Sequence, residues 1–345
     1  MLEKCLRDLD SRIDLRQEEA NLALWRNFVD DGCSSPFFTA PGRGKSPAKV
    51  PWPTVSINTA IGDVQAMLLQ QLGGASQTLE SGGSGLLCVR CNYGTGILPT
   101  LFGCEVFMMD EALATLPTAK PLGSRDRVLA LLDAGVPDIK GGLGGKVFAA
   151  AEAFLSVFEK YPNIARCVDL YHPDVQGPID VAELVWGSDM FYAFYEDAPL
   201  LRDLLELITQ TYSKFMREWY RLVPRRGEYS VHWGMLHRGA LMLRNDSLMN
   251  LSPEAYVEFA RPMDQRLLDE FGGGAIHFCG RGDHFISAMA ELRGLSAINL
   301  SQPHLNDMEK VYRHTVDRGI KLINLNRSAA ENAGRPLRGQ VHVEG

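Results

Sequence analysis

His277-Phe278-Cys279 sets an imidazole and a thiol two residues apart in the short apolar run Ala275–Cys279. Residues i and i+2 of a β-strand share a face, so the two groups converge. A soft thiolate beside an imidazole suits Zn2+, which in catalytic sites takes about three protein ligands and keeps one position open. Gly280-Arg281-Gly282 follows at once and ends the strand, which puts the pair at its C-terminal end. In a chain with 8 His and 7 Cys such a pair also arises by chance, and a buried cysteine is commonly a small packing residue. Spacing alone leaves both readings open.

The other close cysteine pair is Cys88-Val89-Arg90-Cys91. Three residues apart on a strand means opposite faces, and no second C-x-x-C exists to complete a four-cysteine site, so packing is the expectation there. Five of the eight histidines (His172, His232, His237, His277, His304) fall at or just after strand-like runs, where histidine can bind metal or move protons near neutral pH. Tyr171 through Pro178 is polar and rigid, a pattern that fits a ligand-facing loop or a solvated turn.

Short apolar runs alternating with helical segments must position these groups. Leu2–Phe28 reads as one or two amphipathic helices, and Gly32–Pro53 as a long loop. Strands are expected at Leu86–Cys91, Ile164–Leu170, Tyr229–Trp233, Ala275–Cys279, Leu295–Leu300 and Ile320–Leu325. Helices are expected from Asp197 to Tyr220, from Ser252-Pro253 to Phe271, from Asp283 to Arg293, and from a capping box at Asn306 and Glu309 to Gly319. Strand, helix, strand, helix implies parallel strands with crossover connections. The run Gly141–Lys146 follows no apolar strand, so it reads as a flexible connection before a helix at Val147–Phe158 rather than a phosphate loop. Without a dinucleotide or P-loop signature the alternation favours a (β/α)8 TIM barrel, whose sites lie at the C-terminal ends of the strands.

Composition narrows the function classes. The 345 residues carry 35 Lys plus Arg against 42 Asp plus Glu, a net charge of −7, which argues against nucleic-acid binding. Hydrophobic residues are 46% and charged residues 22%, values of a soluble globular chain able to bury a large core. Nothing approaches the roughly 18 uninterrupted apolar residues of a membrane span. Seven cysteines, an odd number, with no charged-then-apolar leader in Met1–Asp10 point to a reducing, cytoplasmic setting.

Several segments together resemble the uroporphyrinogen decarboxylase superfamily. They are Asn92-Tyr93-Gly94 with Leu101-Phe102-Gly103, Asp174 through Pro178 followed by a helix near Asp197, and Ser252 through Phe259 leading by a glycine turn into Ile276-His277-Phe278-Cys279-Gly280. The resemblance spans about Leu86 to Leu325. It implies a single (β/α)8 barrel domain over 1–345, with residues 1–49 as N-terminal helices and loop and 50–345 as barrel. It also leaves a homodimer unsurprising.

The superfamily contains two chemistries. Its porphyrinogen decarboxylases are metal-free and carry an M-R-Q-A-G-R type signature, where this chain has Phe37-Phe38-Thr39-Ala40-Pro41-Gly42-Arg43-Gly44-Lys45. Its corrinoid-linked methyltransferases hold zinc on H-x-C and a later cysteine, and His277 and Cys279 match the first two ligands. No cysteine follows Cys279, so the expected third ligand is His304, or His342 and Glu344 in the terminal strand-like run, unless no metal is bound and His277 donates a proton. The implied function is methyl transfer from a corrinoid on a partner protein to a small thiol-type acceptor. His277, Asp246 and His232 are then candidate catalytic residues, and Arg90, Asn92, Tyr93, Asp174, Gln176, His237 and Arg244 shape the substrate pocket. The alternatives are metal-free decarboxylation, with Arg90 and Arg244 pairing carboxylates and Asp246 stabilising a protonated intermediate, and a non-catalytic binding barrel. The sequence leaves no room for a helix after its last strand, so barrel closure is expected to be either incomplete or completed by N-terminal segments.

Overall fold

The computed structural model describes residues 1–344. Two helices open the chain, Leu2–Arg12 and Leu15–Val29, and the second starts where Asp14 accepts hydrogen bonds from Arg16 N and Gln17 N. Residues 30–56 are largely irregular, as expected, but they are tied down. Buried Arg43 bonds Glu18 through Nε at 2.8 Å and the Gly85 carbonyl through Nη2 at 2.9 Å.

Eleven strands follow: β1 (Cys88–Val89), β2 (Glu105–Phe107), β3 (Thr118–Lys120), β4 (Asp169–Leu170), β5 (Tyr229–His232), β6 (Met235–Arg238), β7 (Leu241–Arg244), β8 (Gly274–Phe278), β9 (Leu295–Leu300), β10 (Lys321–Leu325) and β11 (Val341–Val343). The last five form one parallel sheet in the order β11-β10-β9-β8-β7. Helical segments connect each strand to the next, as the alternation predicts for an α/β fold. The ladder extends at both edges. Phe38 bridges His342 in β11, and Gln176, just after β4, bridges Arg244 in β7. Gly177 is required at this second bridge, because a Cβ there would run into the Asn245 side chain. β4 pairs in parallel with β1 through Cys88 opposite Asp169. The N-terminal segment thus joins the sheet at Phe38, donating to Val341 O at 2.8 Å and accepting from Val343 N at 3.0 Å.

Both faces of the main sheet are covered, which is why its strands read as apolar runs. Leu243, Ile276, Phe278, Ile298 and Leu300 pack with the helices in the larger core. Met242, Ala275, Ala297 and Ile323 face a second core made with Trp25, Phe28, Phe38, Val231, Met235 and Leu236. Two residues further along the strands that same face turns polar: Arg244, His277 and Asn299 lie abreast in register.

Several local expectations are corrected. Ile164–Leu170 is not one strand: Pro162–Cys167 is helical, because Pro162 occupies the first turn, and only Asp169–Leu170 is extended. Tyr229–Trp233 is not a parallel strand but half of the antiparallel hairpin β5–β6, reversed at Trp233-Gly234. The helix expected from Asp283 to Arg293 is reduced to Ile286–Met289. Asp307, not Asn306, caps the next helix by accepting from Lys310 N. Gly144 and Gly145 lie within the helix Gly144–Lys160, so the glycine run is partly helical. The helix opened by Ser252 carries a π-helical turn at Tyr256–Ala260 before continuing to Phe271. No helix among the described residues is long and apolar enough to cross a membrane.

His342 sits among Trp25, Phe38 and Phe28, with ring centroids 4.5, 5.7 and 6.4 Å away, and accepts the Asn324 N–H at Nδ1. Burial pushes its pKa down to about 4. An unfolded chain takes up this proton near the ordinary value of about 6.5. The unfolded state therefore binds the proton first as pH falls, and stability is lost from about pH 6.5 down to about pH 4. Between about pH 7.5 and about pH 5 this residue costs the protein on the order of 2 kcal/mol of unfolding free energy. Urea denaturation at the two pH values should show that increment missing from His342→Gln; an unchanged pH dependence would reject the assignment.

Candidate metal centre

β8 delivers His277 and Cys279 to one face, as the i, i+2 spacing requires, and β7 delivers a third group. After Arg244 the chain turns into a 3-10 segment, Asp246–Asn250, and buried Asp180 fixes that turn. The two Asp180 carboxylate oxygens accept from Asp246 N at 2.8 Å and Ser247 N at 2.9 Å. Burial, with Asp246 nearby, holds the Asp180 pKa well above the usual carboxylate range. The Asp246 side chain reaches toward β8, where its Oδ1 accepts from Cys279 N at 2.9 Å.

His277 stands at the centre of the group. Its Nε2 is 3.3 Å from Asp246 Oδ1 and 3.5 Å from Cys279 Sγ. On the other side Nδ1 lies 2.6 Å from Asn299 Oδ1. Asn299 donates through Nδ2 to Ile323 O at 2.8 Å, which leaves Oδ1 as the acceptor and puts a proton on His277 Nδ1. Nε2 is thereby aimed at the carboxylate and the thiol. Burial alone would lower the His277 pKa, but hydrogen bonds to Asp246, Cys279 and Asn299 lift it to about 10. Asp246 is raised by burial and brought below its ordinary value by the His277 contact.

One ligand atom from each of Asp246, His277 and Cys279 lies within 4.8 Å of the other two. The donor set fits zinc. With Zn–N and Zn–O near 2.0–2.1 Å and Zn–S near 2.3 Å, a tetrahedron separates N from O by about 3.3 Å and N from S by about 3.6 Å. The observed separations are 3.3 and 3.5 Å.

The loop beyond Cys279 is held from the neighbouring strand end. Gly280 N donates to Gln302 Oε1 at 2.5 Å, and Asn306 accepts from Gly282 N at 2.7 Å while donating to Gly280 O at 3.1 Å. Asn306, expected as a helix cap, is therefore a clamp on this loop. Ser301 Oγ lies 3.5 Å from Cys279 Sγ. Ser301 also lines a cavity of about 630 Å3 whose walls include His304, Asn306, Glu309, Asn326 and Asn332.

The remaining predicted residues fall into three places. Arg90, Asp174, Gln176 and Arg244 form an ion cluster beside the centre. Asp174 lies 3.1 Å from Arg90 Nη1 and 2.8 Å from Arg244 Nε, and Gln176 donates to it at 2.8 Å. The Arg244 Nε contact lies off the line of the N–H, so it is ionic rather than a directed hydrogen bond, and Nη2 has no partner. Asn92 and Tyr93 lie in the segment after β1, where Asn92 Oδ1 is buried without a partner and burial pushes the Tyr93 hydroxyl up to about 12.

His232 and His237 are bonded to each other at 2.8 Å and buried, His237 held down to about 4 and His232 well below its usual range by burial. His304 is exposed on the cavity wall, His342 is packed against Trp25, and Glu344 is exposed with its carbonyl accepting from Arg327. None of these last three enters the Asp246–His277–Cys279 group. Asp246, read from sequence as a stabiliser of a protonated intermediate, instead joins His277 and Cys279 in the group that could hold a metal ion. Asn299 and Asp180 were not foreseen; only the register of β8 on β9 and the fold of the turn after β7 bring them in.

No protein-family description matches the sequence, and no curated protein matches it. Among solved structures, a methyltransferase from Methanosarcina mazei superposes with a TM-score of 0.62 over 95% of this chain and 92% of that chain, at 16% sequence identity. The likeness is one of fold.

Asp180 supplies two acceptors to otherwise unpaired backbone donors. Asp180→Ala should lower the unfolding free energy by about 2–4 kcal/mol, since each orphaned buried N–H costs about 1–3 kcal/mol. Chemical denaturation measures it, and a loss under about 1 kcal/mol would mean that solvent replaces the carboxylate.

Proposed function

We propose that the protein is a zinc-dependent methyltransferase on a (β/α)8-type barrel, acting on a small thiol-type acceptor with a methyl-bearing corrinoid on a partner protein as donor. The observation that carries this reading is the convergence of Asp246, His277 and Cys279 at the ends of two adjacent parallel strands. These three side chains would hold the zinc, and the shared fold with a methyltransferase is compatible with the reading. Zinc, when bound, lowers the pKa of an acceptor thiol so that the thiolate is available near neutral pH.

The chain's own residues do the rest. Asn299 keeps the proton on His277 Nδ1 and so leaves Nε2 free to ligate. Asp180 and the Cys279 backbone N–H hold the Asp246 carboxylate on the same side. Three protein ligands leave one position for the acceptor sulfur. The cavity lined by Ser301, whose hydroxyl lies 3.5 Å from Cys279 Sγ, would take the acceptor, with Asn306, Asn326, Ser328 and Asn332 as hydrogen-bonding groups and Glu309 and His304 among its ionisable ones. The loops at Arg90–Tyr93, Asp174–Gln176 and His232–His237 shape the opposite wall.

A second reading, decarboxylation of a carboxylated pyrrole, is favoured by one feature, the unpartnered Arg244 Nη2 beside Arg90. It requires Asp246 to face substrate, whereas this carboxylate is engaged by His277 and Cys279 N.

Metal analysis of the purified protein should find about one zinc per chain. Cys279→Ser and Asp246→Ala should reduce it below about one tenth, while His304→Ala and Glu344→Ala should leave it unchanged. The zinc protein should methylate mercaptopropanol from methylcobalamin. A metal-free protein that decarboxylates a porphyrinogen would overturn the proposal in favour of the second reading.

A further inference from the structure

Trp233 holds a backbone conformation that its side chain disfavours. The connection from His232 to Met235 is a two-residue hairpin turn, with φ of 50° at Trp233 and 79° at Gly234. Such mirror-image turns match the twist of the flanking strands and are filled most readily by Asn-Gly. A bulky aromatic at positive φ is an outlier, and strain of this kind clusters at ligand sites.

The neighbours of the indole show what it does there. The Arg244 guanidinium lies 5.0 Å from its ring centroid, and the His277 ring lies 5.2 Å away, tilted by 68°. Arg244 is buried, and its Nη2 has no hydrogen-bond partner. Arg90 and Arg244 share the single carboxylate of Asp174, so the cluster keeps an excess positive charge. An aromatic face, tryptophan's most strongly, covers a guanidinium and still offsets part of its desolvation. His232, Gly234 and Met235 are buried, and Trp233 between them is partly exposed. The indole therefore packs on the second apolar core, lays its ring over the Arg244 guanidinium and meets the His277 ring at an edge, with part of its surface left exposed.

We propose that Trp233 is a specificity-determining wall between the Asp246–His277–Cys279 centre and the Arg90–Asp174–Arg244 cluster. It is retained in a strained turn because it keeps that positive charge away from the acceptor, so that the site favours an uncharged thiol over an anionic one. The preference for an acceptor class rests on the methyltransferase reading; the covering of Arg244 does not.

Trp233→Asn tests it, since asparagine adopts positive φ readily. Three results are expected. The thermal midpoint equals or exceeds that of the wild type. Arg244, protected in the wild type, becomes labelled by phenylglyoxal, as mapped by mass spectrometry. The preference in kcat/KM for mercaptopropanol over mercaptopropionate falls at least about tenfold, through KM. Trp233→Phe should keep Arg244 protected. A lowered midpoint would make Trp233 a packing residue and overturn the proposal, as would an unlabelled Arg244 or an unchanged preference. The first two readouts need neither metal nor methyl donor, so absence of zinc and of methyl transfer in the wild type would reject the methyltransferase reading while the wall is still judged.

Discussion

The pairing register of β7, β8 and β9 is the constraint on which the site depends. It sets Arg244, His277 and Asn299 side by side on one face, and it is enforced from the other face. There Leu243, Ile276, Phe278, Ile298 and Leu300 are buried against the helices. A slip of one residue would turn Phe278 into the polar layer and His277 into the apolar core. The centre is thus positioned by hydrophobic packing on the far side of the sheet. Its own hydrogen bonds, His277 to Asn299 and Asp246 to Cys279 N, refine side-chain orientation within a frame already fixed.

Below the polar layer the same face is filled by parts of the chain outside the five-stranded sheet. Hairpin β5–β6 brings Val231, Met235 and Leu236, and the N-terminal segments bring Trp25, Phe28 and Phe38. This filling determines what the other histidines do. His172 Nε2 accepts the Met242 N–H at 3.0 Å, standing in for a strand carbonyl where the segment after β4 diverges from β7. His237 Nδ1 faces Arg238 O and its Nε2 faces His232 Nδ1, an arrangement in which one ring must accept from the other, so both cannot be protonated at once. These imidazoles behave as buried amides, and burial keeps them uncharged.

What was legible in the sequence follows the range of the interactions. The i, i+2 convergence of His277 and Cys279 is a property of one strand and needs no tertiary information, so spacing alone could state it. The α/β alternation was legible because both faces of the sheet are apolar. Asp246 could be singled out in the sequence as a candidate carboxylate but not as a neighbour of His277, since that depends on the turn held by Asp180 66 residues earlier in the chain. The third group was sought C-terminally, at His304, His342 and Glu344, because a later ligand was expected; the turn after the preceding strand comes closer. Tyr229–Trp233 was read as a parallel strand because period-two apolarity does not encode direction, and the reversal is carried by the Trp-Gly pair, whose tryptophan masks an ordinary hairpin signal.

Charge accounts for how one arrangement can exist both without a metal and with one. In the metal-free protein His277 carries a proton between the Asp246 carboxylate and Cys279, and burial, which would expel that proton, is outweighed by the partners that hold it. The Asp246 carboxylate and the His277 imidazolium cancel each other's charge. A divalent cation held by the carboxylate, a neutral imidazole and a cysteine thiolate would leave zero as well. The partly buried centre would therefore take a divalent cation without acquiring net charge, which limits the desolvation cost. The imidazolium proton would have to leave as a metal enters, so metal affinity would rise with pH. Trp233 extends the same logic to the adjacent cluster, where its aromatic face lies over the Arg244 guanidinium beside His277.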